Sequence, residues 1–274
     1  MTDTSVRVSP EWLALREPAD AAARSTELVE VVARTAPPVG RTIVHDLACG
    51  TGSMSRWLAP RLAGPQHWIL YDWDPDLLRH AAAAMPHAAA DGAEITFETR
   101  SRDITRLDPA DLTGASLITA SALLDMLTAD EVRRVVTACV GAACPALFTL
   151  SVVGRVELAP ADPLDQQVTV AFNDHQRRAV GGRRLLGPDA VGIAAEEFTR
   201  LRAEVMVRPS PWRLGPADAT LAAEWFAGWL GAACEQQPEL SGATTTYGNR
   251  RRAQASAGRL GVTVGHDDLL VRPR

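Results

Sequence analysis

The chain has no lysine: its Lys+Arg total of 28 is arginine throughout. That absence excludes a phosphate-loop lysine, a lysine Schiff base for a pyridoxal cofactor, and the tyrosine–lysine pair of many dehydrogenases. Cysteine is sparse. Cys49, Cys139, Cys144 and Cys234 form no C-x-x-C, and none stands at metal-ligand spacing from the six histidines. They are expected to be small buried apolar side chains in a reducing compartment, with no metal site. Long hydrophobic runs are also missing. Neither the opening "MTDTSVRVSPEWLALREPAD" nor any later segment is an uncharged apolar stretch of signal-peptide or membrane-span length, so a cytoplasmic protein is expected. Positive charge is not in excess either: a formal net charge of -5 argues against a general nucleic-acid binder.

What is present is an alternation of strand-like and helical runs within 274 residues, enough for one domain with a sizeable core. Residues 10–35 read as one or two helices, interrupted near Pro18 and stopped by "APPVG" at 36–40. Strand candidates follow at 42–48, 67–72, 93–101, 115–122 and 145–153, with helices expected over 53–63, 75–90 and 128–140. This rhythm predicts an α/β fold with parallel βαβ units in an open, doubly wound sheet. After Gly154 the rhythm breaks, and 155–187 reads as an insertion. A helix then follows Gly187-Pro188, with a strand at 203–210, an amphipathic helix carrying Trp225 and Trp229, and a final strand at 260–273. The economical reading is a single domain: an N-terminal helical cap (1–40), a ligand-binding core (41–154), the insertion as a lid (155–187), and C-terminal helices with the last two strands (188–274).

The most informative stretch is "VHDLACGTGSM", residues 44–54. A glycine turn after a strand can hold a phosphate, a dinucleotide, or a ligand without phosphate. The first needs a Gly-Lys pair, which this chain lacks. A dinucleotide turn wants a third glycine three positions after Gly52, where Ser55 stands, and Asp46 before the turn would repel phosphate. S-adenosylmethionine (SAM), with a cationic sulfonium, an amine and a carboxylate, suits the acid and the close backbone better. Asp72 closes the second strand 20 residues after Gly52, where an acid can chelate both ribose hydroxyls. Asp74, before Pro75, reads as a helix cap. In "SRDI" a carboxylate at Asp103 can accept from an adenine amino group while Ile104 packs on the ring.

Together "DLACGTG", "LYDWDP", "SRDI" and "ITASALLDML" resemble the class I SAM-dependent methyltransferases, over residues about 41–154 and more loosely the terminal strand pair. The resemblance implies a mostly parallel, Rossmann-like sheet of seven strands, the last antiparallel, with SAM across the carboxyl ends of the strands. It implies that Asp46, Ala48, Gly50, Thr51 and Gly52 border the methionine part, Asp72 and Trp73 the ribose and adenine, and Asp103 and Ile104 the adenine. Ser121 and Ala122 would face the cofactor's reactive end. Ala48 departs from the pattern, since many relatives carry glycine there.

Methyl transfer is an in-line displacement in which the protein aligns the acceptor and excludes water, with a base only where the acceptor must lose a proton. The Asn/Asp-Pro-Pro-aromatic motif of nucleobase-amino and glutamine methyltransferases is missing after the fourth strand, which reads "SALLDM". A small-molecule O, N or C acceptor is therefore expected. His175 in "FNDHQRR" is a candidate base, with Asn173 and Gln176 as substrate contacts; Asp125 is a candidate base or amine anchor. Trp212 and Arg213 are candidate pocket walls. The clusters Arg177, Arg178, Arg183, Arg184 and Arg250 to Arg252 could select an anionic acceptor or remain solvated surface. A non-catalytic SAM-binding regulator, an RNA methyltransferase and a nicotinamide oxidoreductase remain as other readings.

Overall fold

The computed structural model describes residues 8–35 and 40–273. Its sheet runs in the order β3-β2-β1-β4-β5-β10-β8. The strands are β1 (Thr42–Leu47), β2 (Gln66–Asp72), β3 (Ile95–Ser101), β4 (Leu117–Ser121), β5 (Ala146–Ala159), β8 (Glu204–Pro209) and β10 (Gly261–Arg272). The first five are parallel. β10 runs antiparallel to both β5 and β8, and a short strand β9 (Trp212–Leu214) joins the first half of β10. The chain winds outward from β1 to β3 and then returns to lay β4 on the other side of β1. That reversal opens a crevice at the carboxyl ends of β1 and β4, the place where open α/β sheets bind ligands.

Pleating sends alternate residues to opposite faces. Ile69 and Tyr71 of β2 join Leu47, Ile118, Phe148 and Phe198 in one apolar cluster. Trp68 and Leu70 join Val44, Trp57 and Leu117 in the other. Helices cover both faces: α3 (Ser53–Leu58) and α4 (Pro75–Ala83) follow β1 and β2, and α5 (Ala129–Gly141) and α7 (Ala190–Arg200) pack together. Burial on two sides explains why these strands read as nearly unbroken apolar runs.

A third core lies beyond the sheet. β5 continues past β4 and β10 past β8, and Leu158, Val262 and Val264 pack with Trp212, Phe226 and Trp229. Helices α6 (Leu164–Gln176), α8 (Ala219–Gln236) and α9 (Leu240–Ser256) build this core, and Trp12, Leu15 and Ala19 of α1 (Pro10–Ala23) pack against it. Arg251 is 1% exposed and forms two bonds to Asp165, at 2.6 and 2.7 Å, while the Tyr247 hydroxyl donates to the same carboxylate. Arg250 pairs with Asp162. Two of the three arginines at 250–252 are thus tied up within the fold.

Some elements differ from the sequence reading. α1 runs through Pro18, because its apolar face is held on the third core; the break comes at Arg24, where ψ swings to 137°. α2 (Thr26–Thr35) follows, and the stop expected at 36–40 lies mostly outside the described residues. α4 ends at Ala83 rather than near 90. Pro86 lacks an amide hydrogen and biases its predecessor away from helical backbone. The segment 155–187 contains the end of β5, all of α6, a hairpin of β6 (Ala179–Val180) with β7 (Arg183–Arg184), and the start of a 3-10 turn, Gly187–Asp189. Among the described residues no helix is long and apolar enough to cross a membrane.

Candidate functional site at the crevice between β1 and β4

The two strands that flank the crevice end alike. Ala48 after β1 and Ala122 after β4 both adopt φ +52°, a left-handed backbone that costs a residue with a Cβ about 1–2 kcal/mol. Strain of this kind gathers at functional sites. Gly50 (φ +56°) and Gly52 (φ +84°) complete the turn. A Cβ on Gly52 would stand 3.1 Å from the Ala81 Cβ, and one on Gly50 would stand 3.3 Å from Leu13 Cδ1. Between the turn, the end of β4 and α1 lies a cavity of about 50 Å³; Leu13, Arg16 and Asp20 form its α1 wall, and Asp46, Thr51 and Ser121 stand opposite.

Charge is concentrated under this turn. Asp46 is fully buried; its Oδ1 accepts from the Thr119 hydroxyl at 2.8 Å, and its Oδ2 has no partner among the described residues. Burial pushes its pKa up to about 7. Asp72 accepts the Gly50 N–H at 2.9 Å on one oxygen and the Asp74 N–H at 2.9 Å on the other, and burial raises its pKa as well. Ser121 accepts from Arg24 Nη2 at 3.1 Å and from the Thr149 hydroxyl at 3.0 Å.

α1 closes the crevice from above. Glu17 takes both arms of Arg56, at 2.7 and 2.5 Å, which ties the helix to α3. Arg16 forks onto Asp20, and the Trp212 indole N–H donates to the same carboxylate at 2.9 Å. The Arg16 guanidinium lies 4.9 Å from the Trp212 ring centre, and the His266 ring is 5.4 Å from it on β10. Asp125 stands in the 3-10 turn Leu124–Met126 just after β4. Burial pushes its carboxyl up to about 6, with the Arg16 charge pulling the other way. His266 is pushed down to about 3 by burial and then by Arg16, so it is neutral; it donates from Nδ1 to the Val264 carbonyl.

The remaining sequence candidates divide. Trp73 is 38% exposed beside Asp72, and Asp74 caps α4 by accepting the Asp76 N–H. Asp103 follows β3 but spends Oδ1 on Thr105, accepting from its amide at 2.9 Å and its hydroxyl at 2.7 Å. Ile104 is buried with Leu107 and Leu112. Trp212 points inward, whereas Arg213, its neighbour on the other face of β9, is exposed.

His175, Asn173 and Gln176 are not brought to the crevice. Helical spacing aims His175 at α8, where Nε2 donates to Glu235 Oε2 at 3.2 Å while Nδ1 accepts from Arg178 at 3.0 Å. Burial first, then Arg178, lowers its pKa, and neither ring nitrogen is left for an acceptor proton. The Asn173 side-chain amide donates to the Gly154 carbonyl, and Gly187 packs so close to Gln176 that a Cβ there would meet it at 2.9 Å. Arg177 is paired with Asp189 and Arg183 with Glu131. Two of the four arginines of this cluster are thus paired with carboxylates from neighbouring elements.

Sequence reasoning missed Arg16, Asp20 and Arg24. Their signal was available: Arg16, Asp20 and Arg24 recur every four residues, with Glu17 beside them, so one face of α1 and its C-cap carries a polar stripe.

A phosphate-free ligand with one cationic end fits what is here. The glycine turn admits backbone contact, one Asp46 oxygen has no partner among the described residues, and Asp72 stands at the end of the neighbouring strand. Residues 44–145 match the family model described as a methyltransferase domain. No curated protein sequence matches the chain. The cyclopropane synthase MmaA2 from Mycobacterium tuberculosis superposes with a TM-score of 0.51 at 10% identity, covering 97% of this chain and 95% of that one. A SAM-dependent methyltransferase from Geobacter sulfurreducens, solved with S-adenosylhomocysteine, gives 0.44 at 14% identity, over 97% and 99% of the two chains. Phosphoethanolamine N-methyltransferase 2 from Haemonchus contortus gives 0.48 at 12% identity, over 96% of this chain and 57% of that one. A methyltransferase segment thus runs from β1 to the threshold of β5, on a sheet of this order.

Proposed function

We propose that the protein methylates a small-molecule acceptor held between the carboxyl end of β4 and the third core, with Asp125 as the base or amine anchor. One observation carries this reading. Arg16 lines the cofactor crevice, covers the Trp212 ring, and acts electrostatically on both Asp125 and His266. Arg16 thus stands between the crevice and titratable and aromatic groups of β9, β10 and the turn after β4.

In this reading Asp46, the Gly50–Gly52 turn, Ser121 and Ala122 hold the methionine end of the cofactor. Asp72 and Trp73 hold the ribose and adenine, and Asp103 and Ile104 stand at the adenine edge. The cofactor supplies an activated methyl group on a sulfonium. The chain's own task is to fix the acceptor in line, exclude water and, for a hydroxyl or ammonium acceptor, take one proton at a carboxylate oxygen of Asp125. In this reading α1, packed on the third core, covers the cofactor crevice.

Incubation with methyl-labelled SAM and a panel of small hydroxyl, amine and carbon acceptors tests the proposal. Label transferred to a small molecule supports it. Tight S-adenosylhomocysteine binding with no transfer to any acceptor would favour a regulatory role, and label in RNA would favour an RNA methyltransferase. For the cofactor contacts, Asp72→Ala is expected to weaken S-adenosylhomocysteine binding by about 1.5–3 kcal/mol, the range for hydrogen bonds to a charged group. Calorimetric titration measures it; unchanged affinity in a folded variant would move the ribose contact elsewhere.

A further inference from the structure

A second cavity, of about 530 Å³, lies outside the cofactor crevice and shares no lining residue with it. That volume falls in the range of small-molecule sites. The first turn of α5 forms one wall, and the hairpin of β6 and β7 with the residues after it forms the other. Gly181 (φ +56°) and Gly182 (φ +81°) make the hairpin's two-residue turn, with the paired positive φ that such turns require. The hairpin is fixed in place. The Leu186 N–H donates to the Leu127 carbonyl at 2.9 Å, and Arg183 donates to the Met126 carbonyl at 3.3 Å. Both carbonyls belong to the end of the turn that carries Asp125.

The charges bordering this cavity do not balance. Four arginines line it, Arg134, Arg177, Arg183 and Arg184, against three acids. Each acid already has a guanidinium. Glu131 takes two arms of Arg183, at 2.7 and 2.9 Å, and Asp189 takes two arms of Arg177, at 2.6 and 2.8 Å. Asp130 is held at 2.7 Å by Arg133, which is not part of the lining. Arg134 and Arg184 are left over. Arg134 donates from Nε to the Thr105 carbonyl at 2.9 Å and forms no ion pair among the described residues. The Arg184 side chain has neither a hydrogen bond nor an ion pair among them. The end of α5 is already closed by the capping box of Thr128 and Glu131, so the surplus charge lies on the two guanidiniums and not on the helix.

We propose that this cavity is a second ligand site, which takes the phosphate group of a phosphorylated small molecule on Arg134 and Arg184. A single exposed arginine holds an anion weakly. Here two of them, from separate elements, border one space whose acids are already neutralised. Guanidinium forks match phosphate oxygens, and a doubly charged phosphate can engage both where one carboxylate satisfies one. The cavity has room for an organic body beside the phosphate.

Calorimetric titration with pyrophosphate, as a probe of the phosphate seat, tests the proposal without reference to methyl transfer. The wild-type protein should bind it saturably, one to one. Arg134→Met and Arg184→Met should each weaken that binding by about 10-fold or more, the scale of one hydrogen bond to a charged group, and leave S-adenosylhomocysteine affinity unchanged. Arg79→Met, which removes the same charge from α4, should bind pyrophosphate as the wild type does. Acetate should bind at least about 10-fold more weakly than pyrophosphate. The proposal is overturned by any of four results: no saturable binding, methionine variants that bind like wild type, an equal loss in Arg79→Met, or acetate bound as well as pyrophosphate. Displacement of S-adenosylhomocysteine by pyrophosphate would put the anion in the crevice and overturn it too. If circular dichroism shows that a methionine variant has not folded, anomalous density from tungstate soaked into wild-type crystals decides. An ion seated on Arg134 and Arg184 supports the assignment, and one seated elsewhere overturns it.

Discussion

Gly50→Val is expected to lower S-adenosylhomocysteine affinity by more than about 100-fold. Two costs combine. The backbone at Gly50 has φ +56°, and holding a β-branched residue in that region costs about 1–3 kcal/mol. The added side chain also points at α1, where the Leu13 methyl already stands 3.3 Å from the Cβ position. The Leu13 side chain, the turn or the helix must therefore give way, and each borders the cavity. Calorimetric titration beside a thermal melt separates lost binding from lost folding. Gly50→Ala supplies a graded control, with the same backbone strain in kind but less bulk. A valine variant that folds and binds like the wild type would show that the turn does not face the ligand.

Asp125→Asn carries the other large effect. If Asp125 accepts the acceptor's proton, turnover should fall by about 10²–10⁴-fold, the usual contribution of a positioned base. The amide keeps the shape, so S-adenosylhomocysteine affinity should stay within about a factor of three of wild type, less than 1 kcal/mol. The pH profile gives an independent readout. A base works when deprotonated, and burial sets this carboxyl near about 6. Wild-type turnover should therefore be level above that value and fall as pH drops through it, and the variant should lose that limb. Full turnover in the variant, measured on the identified acceptor, would point to an acceptor that needs no base.

The sheet and its crevice were legible in the sequence because their determinants are local. Buried parallel strands show as apolar runs, and the turn after β1 needs glycines where φ is positive. The acids at 46 and 72 occupy strand ends that spacing alone can locate. α1 was legible as a helix but not as part of the site, since a polar stripe on a helix usually faces water. Only tertiary packing reveals that Arg16, Asp20 and Arg24 turn inward, against Trp212 and the serines of the crevice. His175 shows the opposite failure. A histidine among polar neighbours looks like a base in sequence, but its meaning depends on Glu235, sixty residues away on another helix. The break after Gly154 was misleading for a similar reason. β5 continues to Ala159 because its partner there is β10, the last strand in the chain.

That long pairing binds the protein's stability into one unit. The register from Val271↔Ala146 to Gly261↔Ala159 runs the length of both strands. At one end they carry Phe148 and Leu269 into the core of the sheet, and at the other Leu158 and Val262 into the helical core beyond it. The two cores therefore share a girder, and neither can melt without fraying strands the other needs. Heating should lose them in one cooperative transition rather than two. Residues 44–145 alone would lack β5, β10 and β8 and leave the apolar flank of β4 uncovered, so the recognisable methyltransferase segment is not an independent folding unit.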